Sequence, residues 1–216
     1  MIKYKLVIFD WDGTIGDTFP GAYRVLNRLL RENGREDISK DDYSRIAHSG
    51  AEFLVSSAMG IKNNTERSRK LYQKYVEFYL DDPEFELFSG VKETLEKMRN
   101  EGVSLAVVSN KMTSVVRLQI KLSGCETLFD HVLCENDGFP MKPSPEGTLE
   151  IVKKSGAALS ETLLVGDSII DVITGRKCGI DTCFVSYGIG RPEFDENIRP
   201  DYQIDRFDKL YEIVMV

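Results

Sequence analysis

The sequence lacks several features that mark membrane, secreted and disulfide-bonded proteins. No run of apolar residues approaches the roughly 18 that a membrane-spanning helix needs. The first residues lead directly into a predicted strand, so we expect no signal segment and no membrane partner. The 4 cysteines show no C-x-x-C spacing, which is typical of reduced, buried thiols. Together these absences predict a soluble, cytoplasmic protein.

The sequence also has fewer basic than acidic residues. The chain has 28 lysines and arginines against 35 aspartates and glutamates, which gives a formal net charge of −7. Nucleic acids and anionic membranes require a basic surface, so this balance argues against both as partners. A local pocket can oppose the overall sign, and an anionic small molecule is therefore still an acceptable ligand.

The hydrophobic pattern divides the 216-residue chain into two kinds of structure. Apolar residues recur at helical spacing through residues 16–84, where we find no convincing strand. From residue 90 onward, short apolar strands alternate with helices, which predicts a parallel, doubly wound sheet. We therefore expect an α/β fold with a Rossmann-like core, residues 1–15 and 88–216, and an inserted all-helical cap domain, residues 16–87.

Two carboxylates follow the first predicted strand almost at once. Asp10 and Asp12 stand where the apolar run Leu6–Phe9 ends, just before Gly13. In open α/β sheets, ligands bind at the carboxyl ends of the strands. Magnesium takes oxygen ligands from one or two carboxylates plus substrate phosphate, so it would explain two negative charges placed this close together. The alternative is an ordinary turn at a strand exit, where aspartate and glycine are common.

Three later segments bring further polar residues to the same predicted edge. Ser109 and Asn110 follow the second strand of the sheet, and Lys142 lies before a helix. Asp167 and Asp171 follow a later strand. Carboxylates gathered there would repel one another, since a unit-charge pair at ~4 Å is worth about 4 kcal/mol at an effective dielectric of ~20. A divalent cation and a lysine would offset this repulsion and admit a phosphate dianion, which suits phosphoryl transfer to a carboxylate.

The four segments together resemble the signature of the haloacid dehalogenase superfamily of phosphotransferases. Residues 10–14 match its D-x-D-G-T segment, and Ser109-Asn110 match its Ser/Thr segment. Lys142 matches its lysine, and residues 166–171 match its G-D-x-x-x-D segment. The resemblance covers essentially the whole chain. A helical cap inserted after the first segment is similar to the subclass that includes phosphoglycolate phosphatases and β-phosphoglucomutases.

The resemblance implies catalytic and metal-binding roles for the four aspartates. Asp10 would attack phosphorus, form an aspartyl-phosphate and bind magnesium. Asp12 would protonate the leaving oxygen, then activate the hydrolytic water, and lend its backbone carbonyl to the metal. Asp167 would be a direct metal ligand, and Asp171 would hold metal-bound water or Lys142. Catalysis of this kind is mostly positioning and electrostatic stabilisation.

The resemblance also implies which residues hold the phosphate and the rest of the substrate. Ser109 and the backbone of Asn110 would bind phosphoryl oxygens, and Lys142 would neutralise charge on the nucleophile and the phosphate. The family's cap places a substrate-contacting loop where this chain has His48. Arg45, three residues earlier, would share that face. A solvated arginine and a histidine turned away from the site are equal alternatives for these two.

The function we expect is Mg²⁺-dependent hydrolysis of a small phosphorylated metabolite, of the phosphoglycolate or sugar phosphate type, through an aspartyl-phosphate. Two alternatives stay open: a phosphomutase of the β-phosphoglucomutase type, and a non-enzymatic phospho-acceptor module similar to a receiver domain. Thr14 after Gly13 resembles phosphatases, and the extra acid at Asp12 argues against a receiver and against a dehalogenase. We expect a monomer or a small homo-oligomer.

Overall fold

The described part of the chain, residues 1–47, 50–190, 194, 196 and 198–215, forms eight β-strands and nine α-helices in this computed structural model. No helix in this part is long and apolar enough to cross a membrane. The strands are β1 (Leu6–Phe9), β2 (Gly16–Asp17), β3 (Glu86–Leu87), β4 (Ser104–Val108), β5 (His131–Leu133), β6 (Thr162–Gly166), β7 (Asp181–Val185) and β8 (Tyr202–Ile204). The helices are α1 (Phe19–Glu32), α2 (Lys40–Ile46), α3 (Ala51–Ala58), α4 (Glu66–Asp81), α5 (Val91–Asn100), α6 (Thr113–Leu122), α7 (Glu146–Ser155), α8 (Ile169–Cys178) and α9 (Leu210–Val214).

Six of the strands form one parallel sheet in the order β5-β4-β1-β6-β7-β8. β1 lies in the middle, and Phe9 is aligned with Val107 on β4 and with Val165 on β6. The residues that follow these three strands therefore emerge side by side at one edge of the sheet. This arrangement confirms the predicted α/β fold and places Asp10 at the centre of that edge.

Both faces of the sheet are covered, because successive residues of a strand point to opposite sides. Val7 and Phe9 share an apolar cluster with residues of α5, α6 and α9. Leu6 and Ile8 share another with residues of α7 and α8. A parallel strand buried on both sides must be apolar throughout, which explains the unbroken apolar sequence of β1. Burial of each such side chain contributes about 1.5–3 kcal/mol.

Helices α1 to α4, which we call the helical insertion, lie between β2 and β3 in sequence and have an apolar core of their own. Val25 and Leu29 of α1 join Leu54 of α3 and Phe78 of α4 in that core. Val115 of α6 belongs to the same cluster, so the insertion packs directly on the sheet domain. The chain is therefore a Rossmann-like core with an inserted helical cap, as the sequence predicts.

Side-chain caps fix the starts of two helices in the insertion. Ser39 Oγ accepts a hydrogen bond from the Asp42 N–H at 3.0 Å, just before α2. At the start of α4, the Ser68 N–H donates to Thr65 Oγ1 at 3.0 Å and the Thr65 N–H donates to Ser68 Oγ at 2.8 Å. Caps of this kind contribute about 1 kcal/mol each and end the loops between helices at defined residues.

The two ends of the insertion differ from the sequence-based expectation. β2 and β3 pair antiparallel, with Gly16 opposite Leu87, where the periodicity indicated helices alone. The expectation of no strand in residues 16–84 is therefore wrong at its first two residues. A two-residue strand is too short to produce an alternating pattern, so the sequence carries no signal for it. The domain boundaries after residues 15 and 87 stay a prediction.

Candidate active site

A cleft lies between the carboxyl edge of the sheet and the helical insertion. It encloses about 720 Å³ of empty space, part of it open to solvent. The strand ends supply its polar floor because the parallel register brings them to one level. The lining includes Asp10, Asp12, Ser109, Asn110, Lys111 and Lys142 from the sheet side, and Thr18, Tyr43, Leu54, Tyr75 and Tyr79 from the insertion side. Five predicted site residues thus meet in one cleft.

Lys142 joins the first and last of the predicted segments. Its Nζ lies 2.6 Å from Asp171 Oδ1 and 3.1 Å from Asp10 Oδ1. Asn110 holds the backbone of this lysine: the Lys142 N–H donates to Asn110 Oδ1, and Asn110 Nδ2 donates to the Lys142 carbonyl, both at 2.8 Å. Burial lowers the pKa of Lys142, but Asp10 and Asp171 outweigh it and hold that pKa above its usual value. The side chain is therefore a buried, fixed positive charge.

Asp10, Asp167 and Asp171 form a buried acidic cluster. One oxygen of each lies within 4.8 Å of the others. Asp167 Oδ2 accepts hydrogen bonds from the N–H groups of Ile189 at 2.8 Å and Gly190 at 3.0 Å. Asp167 Oδ1 is buried and finds no hydrogen-bond partner in the described part of the chain. A buried carboxylate oxygen in this state needs a counter-charge, and the oxygen-only donor set fits a hard divalent cation such as Mg²⁺.

Among contacts within the described residues, Asp171 is the one member of the cluster with hydrogen bonds on both oxygens. Oδ1 accepts from Lys142, and Oδ2 accepts from the Ser168 N–H at 3.1 Å and the Ser168 hydroxyl at 2.6 Å. The Ser168 contacts form a capping box at the start of α8. Direct metal binding would disrupt these contacts, so Asp167 is a better candidate for a direct ligand than Asp171.

Glycines allow the acidic cluster to assemble. A Cβ at Gly13 would collide with the carboxylate of Asp167, and a Cβ at Gly166 would collide with that of Asp171. Gly13 also has a φ of 73°, in the left-handed region that favours glycine. Close approach of a carboxylate therefore requires glycine at both positions, and the left-handed backbone favours it further at Gly13.

Burial and crowding raise the pKa of two of these carboxyls to about 7. For Asp10, burial is the largest cause, Lys142 opposes it, and the neighbouring carboxylates add to it. For Asp167, burial and then the charge of Asp171 raise the pKa, against the backbone donors of Ile189 and Gly190. At neutral pH the cluster therefore needs a proton or a cation to balance its charge.

We expect the metal-free protein to lose stability as pH rises from about 5 to about 8. In the unfolded chain these carboxyls ionise near a pKa of about 4, whereas Asp10 and Asp167 keep their protons up to about pH 7 in the folded state. The folded state thus binds more protons in this interval, and the free energy of unfolding falls as pH rises. Thermal melts in EDTA should show a falling Tm, which Mg²⁺ restores at about pH 8.

Two variants isolate the cause of this pH dependence. Asp167→Asn removes one of the two carboxyls whose pKa is raised. The Tm of this variant in EDTA should therefore depend less on pH, and Mg²⁺ should raise it less. Asp41→Asn, at an exposed residue of α2, should keep the wild-type slope. A wild-type Tm that stays constant between about pH 5 and 8 in EDTA would contradict the raised pKa of Asp10 and Asp167 in the folded state.

Asp12 lies outside the acidic cluster and contacts a different lysine. Its Oδ1 accepts hydrogen bonds from Lys111 Nζ at 2.6 Å and from the Thr18 hydroxyl. Lys111 Nζ also donates to the Tyr79 hydroxyl, on α4, at 3.0 Å. Burial lowers the pKa of Lys111, but Asp12 and Tyr79 outweigh it and the pKa lies above its usual value. The sequence-based reasoning missed Lys111, although it directly follows Asn110 in a segment already singled out.

The two candidates in the helical insertion have different outcomes. Arg45 is exposed on α2, pairs with Asp42 at 2.8 Å, and is not among the described residues that line the cleft. It faces a separate surface groove, which fits the alternative of a solvated arginine. His48 lies outside the described residues. The insertion instead presents tyrosines to the cleft, namely Tyr43, Tyr75 and Tyr79.

The fold and the site define a Rossmann-like enzyme whose cleft carries clustered carboxylates and two buried lysines. The sequence model of the haloacid dehalogenase-like hydrolases matches residues 7–185, and the chain belongs to this family. Among its relatives, a phosphoglycolate phosphatase of Vibrio parahaemolyticus is 28% identical, with 98% of this chain and 96% of the relative covered. The pyrophosphatase PpaX of Oceanobacillus iheyensis is 25% identical, with 99% and 98% covered.

A solved structure agrees with the sequence relatives. The crystal structure of a predicted phosphoglycolate phosphatase from Haemophilus somnus superposes with a TM-score of 0.89 at 27% identity, covering 99% of each chain. The protein is thus a phosphatase of the haloacid dehalogenase-like family, which confirms the family and the enzyme class predicted from the sequence. The alternative of a non-enzymatic phospho-acceptor module is set aside.

Proposed function

We propose that the protein is a Mg²⁺-dependent phosphatase that hydrolyses small phosphorylated metabolites through an aspartyl-phosphate on Asp10. The observation that carries the proposal is the position of Asp10 in the lining of the cleft, where it contacts the buried Lys142 ammonium and belongs to the acidic cluster. Phosphoglycolate and sugar phosphates are the proposed substrate types. Relatives named phosphoglycolate phosphatase and pyrophosphatase support a small phosphorylated substrate.

The proposed metal site uses the carboxylates of Asp10 and Asp167 and the backbone carbonyl of Asp12. The unpartnered Oδ1 of Asp167 supports this assignment, because a cation would satisfy a buried oxygen that the described residues leave without a donor. Asp171 takes the supporting role and holds Lys142. When bound, Mg²⁺ would supply positive charge that offsets the carboxylates and the phosphoryl oxygens.

The side chains of the chain itself account for the two chemical steps. In the first, Asp10 forms a bond to phosphorus as the bond to the leaving oxygen breaks, and Asp12 gives its proton to that oxygen. In the second, Asp12 takes a proton from a water molecule that attacks the phosphorus, and inorganic phosphate leaves Asp10. Asp12 lies two residues beyond the nucleophile and lines the same cleft, which supports its part in both steps.

The phosphoryl group itself is held by residues from two loops. Lys142 neutralises charge on Asp10 and on the phosphoryl oxygens, while Ser109 and the backbone N–H of Asn110 donate to those oxygens. The side chain of Asn110 fixes the Lys142 loop, so both loops are held in one arrangement before a substrate arrives. Preorganised donors of this kind need no rearrangement as charge moves in the reaction.

A cytoplasmic location and a metabolite partner complete the proposal. The cysteines are all buried and unpaired, namely Cys125, Cys134, Cys178 and Cys183, which fits a reducing compartment. The formal net charge of −7 gives no support to a nucleic-acid or membrane partner. A monomer or a small homo-oligomer stays the expectation for the assembly.

Phosphate release from a panel of substrates tests the proposed function. The panel holds p-nitrophenyl phosphate, phosphoglycolate, several sugar phosphates and pyrophosphate. We expect release that EDTA abolishes and Mg²⁺ restores, with kcat/KM for the best metabolite exceeding that for p-nitrophenyl phosphate by at least about 10-fold, because remote contacts add transition-state binding. An isomerised sugar phosphate without free phosphate would indicate a mutase. No release from any member with Mg²⁺ present would refute the proposal.

A further inference from the structure

A second buried lysine lies in the cleft, and the steps described above do not use it. Lys111 comes directly after Asn110, and its side chain is only 5% exposed. Its Nζ lies 2.6 Å from Asp12 Oδ1, 3.0 Å from the Tyr79 hydroxyl and 4.5 Å from the centroid of the Tyr79 ring. This lysine therefore connects a strand end of the sheet to the first sequence segment and to helix α4 of the insertion.

The two lysines divide the acidic groups of the cleft between them. Among the described residues that line it, Lys111 and Lys142 are the only ones with a positive charge. Lys142 contacts Asp10 and Asp171, whereas Lys111 contacts Asp12 alone of the four aspartates. The two lysines thus contact different groups of the proposed reaction, Lys142 the nucleophile Asp10 and Lys111 the proton donor Asp12.

We propose that Lys111 is a positioning residue, which orients the carboxyl group of Asp12 toward the leaving oxygen and is itself fixed by Tyr79. The inference rests on the proposed function, in which Asp12 is the proton donor. Lys111 and Thr18 both donate to Oδ1 of Asp12. No hydrogen bond among the described residues engages Oδ2. With Oδ1 clamped by two donors, Oδ2 is the oxygen that carries the transferable proton.

Tyr79 and Tyr72 form a matched pair on helix α4. The Tyr79 hydroxyl accepts from Lys111 and lies 3.4 Å from the Thr18 carbonyl, to which it donates. The Tyr72 hydroxyl donates to Glu135 Oε2 on the core at 2.7 Å. Both tyrosines join the insertion to the core through a phenolic hydrogen bond. Of the two, Tyr79 alone contacts the lysine that binds Asp12, so Tyr72 serves as its control.

Leaving groups of different basicity separate positioning of a proton donor from general damage to the site. An alkoxide needs a proton to depart, whereas p-nitrophenolate is a stable anion that needs little help. The constant kcat/KM reports the steps up to loss of the leaving group, and it is therefore independent of later hydrolysis of the aspartyl-phosphate. The measurement compares kcat/KM for the best alkyl phosphate of the panel with kcat/KM for p-nitrophenyl phosphate.

We expect Lys111→Met to lower kcat/KM by about 10²-fold for the alkyl phosphate and by less than about 5-fold for p-nitrophenyl phosphate, since general acid catalysis contributes about 10²- to 10⁴-fold. Tyr79→Phe should lower kcat/KM by about 10-fold for the alkyl phosphate and by less than about 3-fold for p-nitrophenyl phosphate. It is the milder variant and carries the test if Lys111→Met does not fold. Tyr72→Phe should change neither value.

The outcomes distinguish this inference from the function on which it rests. Asp12→Asn must lower kcat/KM more for the alkyl phosphate than for p-nitrophenyl phosphate. If it does not, the proton-donor role falls, and the inference falls with it. Suppose that Asp12→Asn shows the larger loss with the alkyl phosphate, but Lys111→Met and Tyr79→Phe lower kcat/KM equally for both substrates. Only the positioning role of Lys111 is then overturned. A Tyr72→Phe effect equal to that of Tyr79→Phe would also overturn it, because helix packing would then be the cause.

Discussion

Replacing Asp10 with asparagine should abolish turnover, lowering kcat/KM by at least about 10³-fold, as removal of a nucleophile does in other enzymes. The amide has nearly the same shape, and its oxygen can still accept the 2.7 Å hydrogen bond from the Trp11 N–H. It has no charge to attack phosphorus and cannot form the ion pair with Lys142. Phosphate release and the intact mass of the acid-quenched protein together measure the loss of turnover and of the aspartyl-phosphate.

Two further variants give this result its meaning. Asp12→Asn should slow turnover yet accumulate phosphorylated protein from p-nitrophenyl phosphate, because its Asp10 is intact and this leaving group needs little protonation. Asp41→Asn, far from the strand ends in sequence and exposed on α2, should match the wild type. Full activity in Asp10→Asn would rule out the covalent mechanism. Absence of phosphorylated protein in every Asp12→Asn sample would count against the proposed division of roles.

The site residues at the strand ends were predictable because they follow strands directly. A parallel sheet brings its strand ends to one edge, so Asp10, Ser109 and Asp167 need only a correct strand assignment to be placed together. Lys142 is harder, since it lies in a loop and no periodicity fixes the direction of its side chain. The resemblance to a family assigned it to the site, and the structure shows the Asn110 contact that holds it there.

The roof of the cleft was not predictable in the same way. Tyr43 and Tyr79 look like ordinary core residues of amphipathic helices, and their position over Asp12 depends on how the insertion packs on the sheet domain. That packing is a tertiary property without a local sequence signal. For Arg45 the sequence left a substrate contact and a solvated side chain equally open. The structure shows Arg45 exposed on α2 and paired with Asp42, which fits the solvated side chain, and a contact with substrate stays a prediction.

Replacing Lys142 with methionine should destabilise the metal-free protein by about 3–5 kcal/mol at about pH 8, the range observed when one partner of a buried ion pair is removed. Methionine fills much of the same volume, so the loss comes from charge. Asp10 and Asp171 would be left unpaired in a site where the lysine is only 3% exposed. At about pH 5.5 the loss should be smaller, because Asp10, whose pKa is already about 7, is then protonated and needs no partner. Urea unfolding in EDTA at both pH values measures the difference.

A matched surface pair and a double variant test whether buried charge is the cause. Lys70 lies 2.8 Å from Glu66 on the exposed face of α4, and Lys70→Met should therefore change the free energy of unfolding by less than about 1 kcal/mol at either pH. Adding Asp171→Asn to Lys142→Met removes one of the stranded charges, so the double variant should be less destabilised than the sum of the two single variants. A loss below about 1 kcal/mol for Lys142→Met at about pH 8, unchanged at the lower pH, would contradict the buried ion pairs. Strict additivity in the cycle would contradict their coupling, since Lys142 and Asp171 lie 2.6 Å apart.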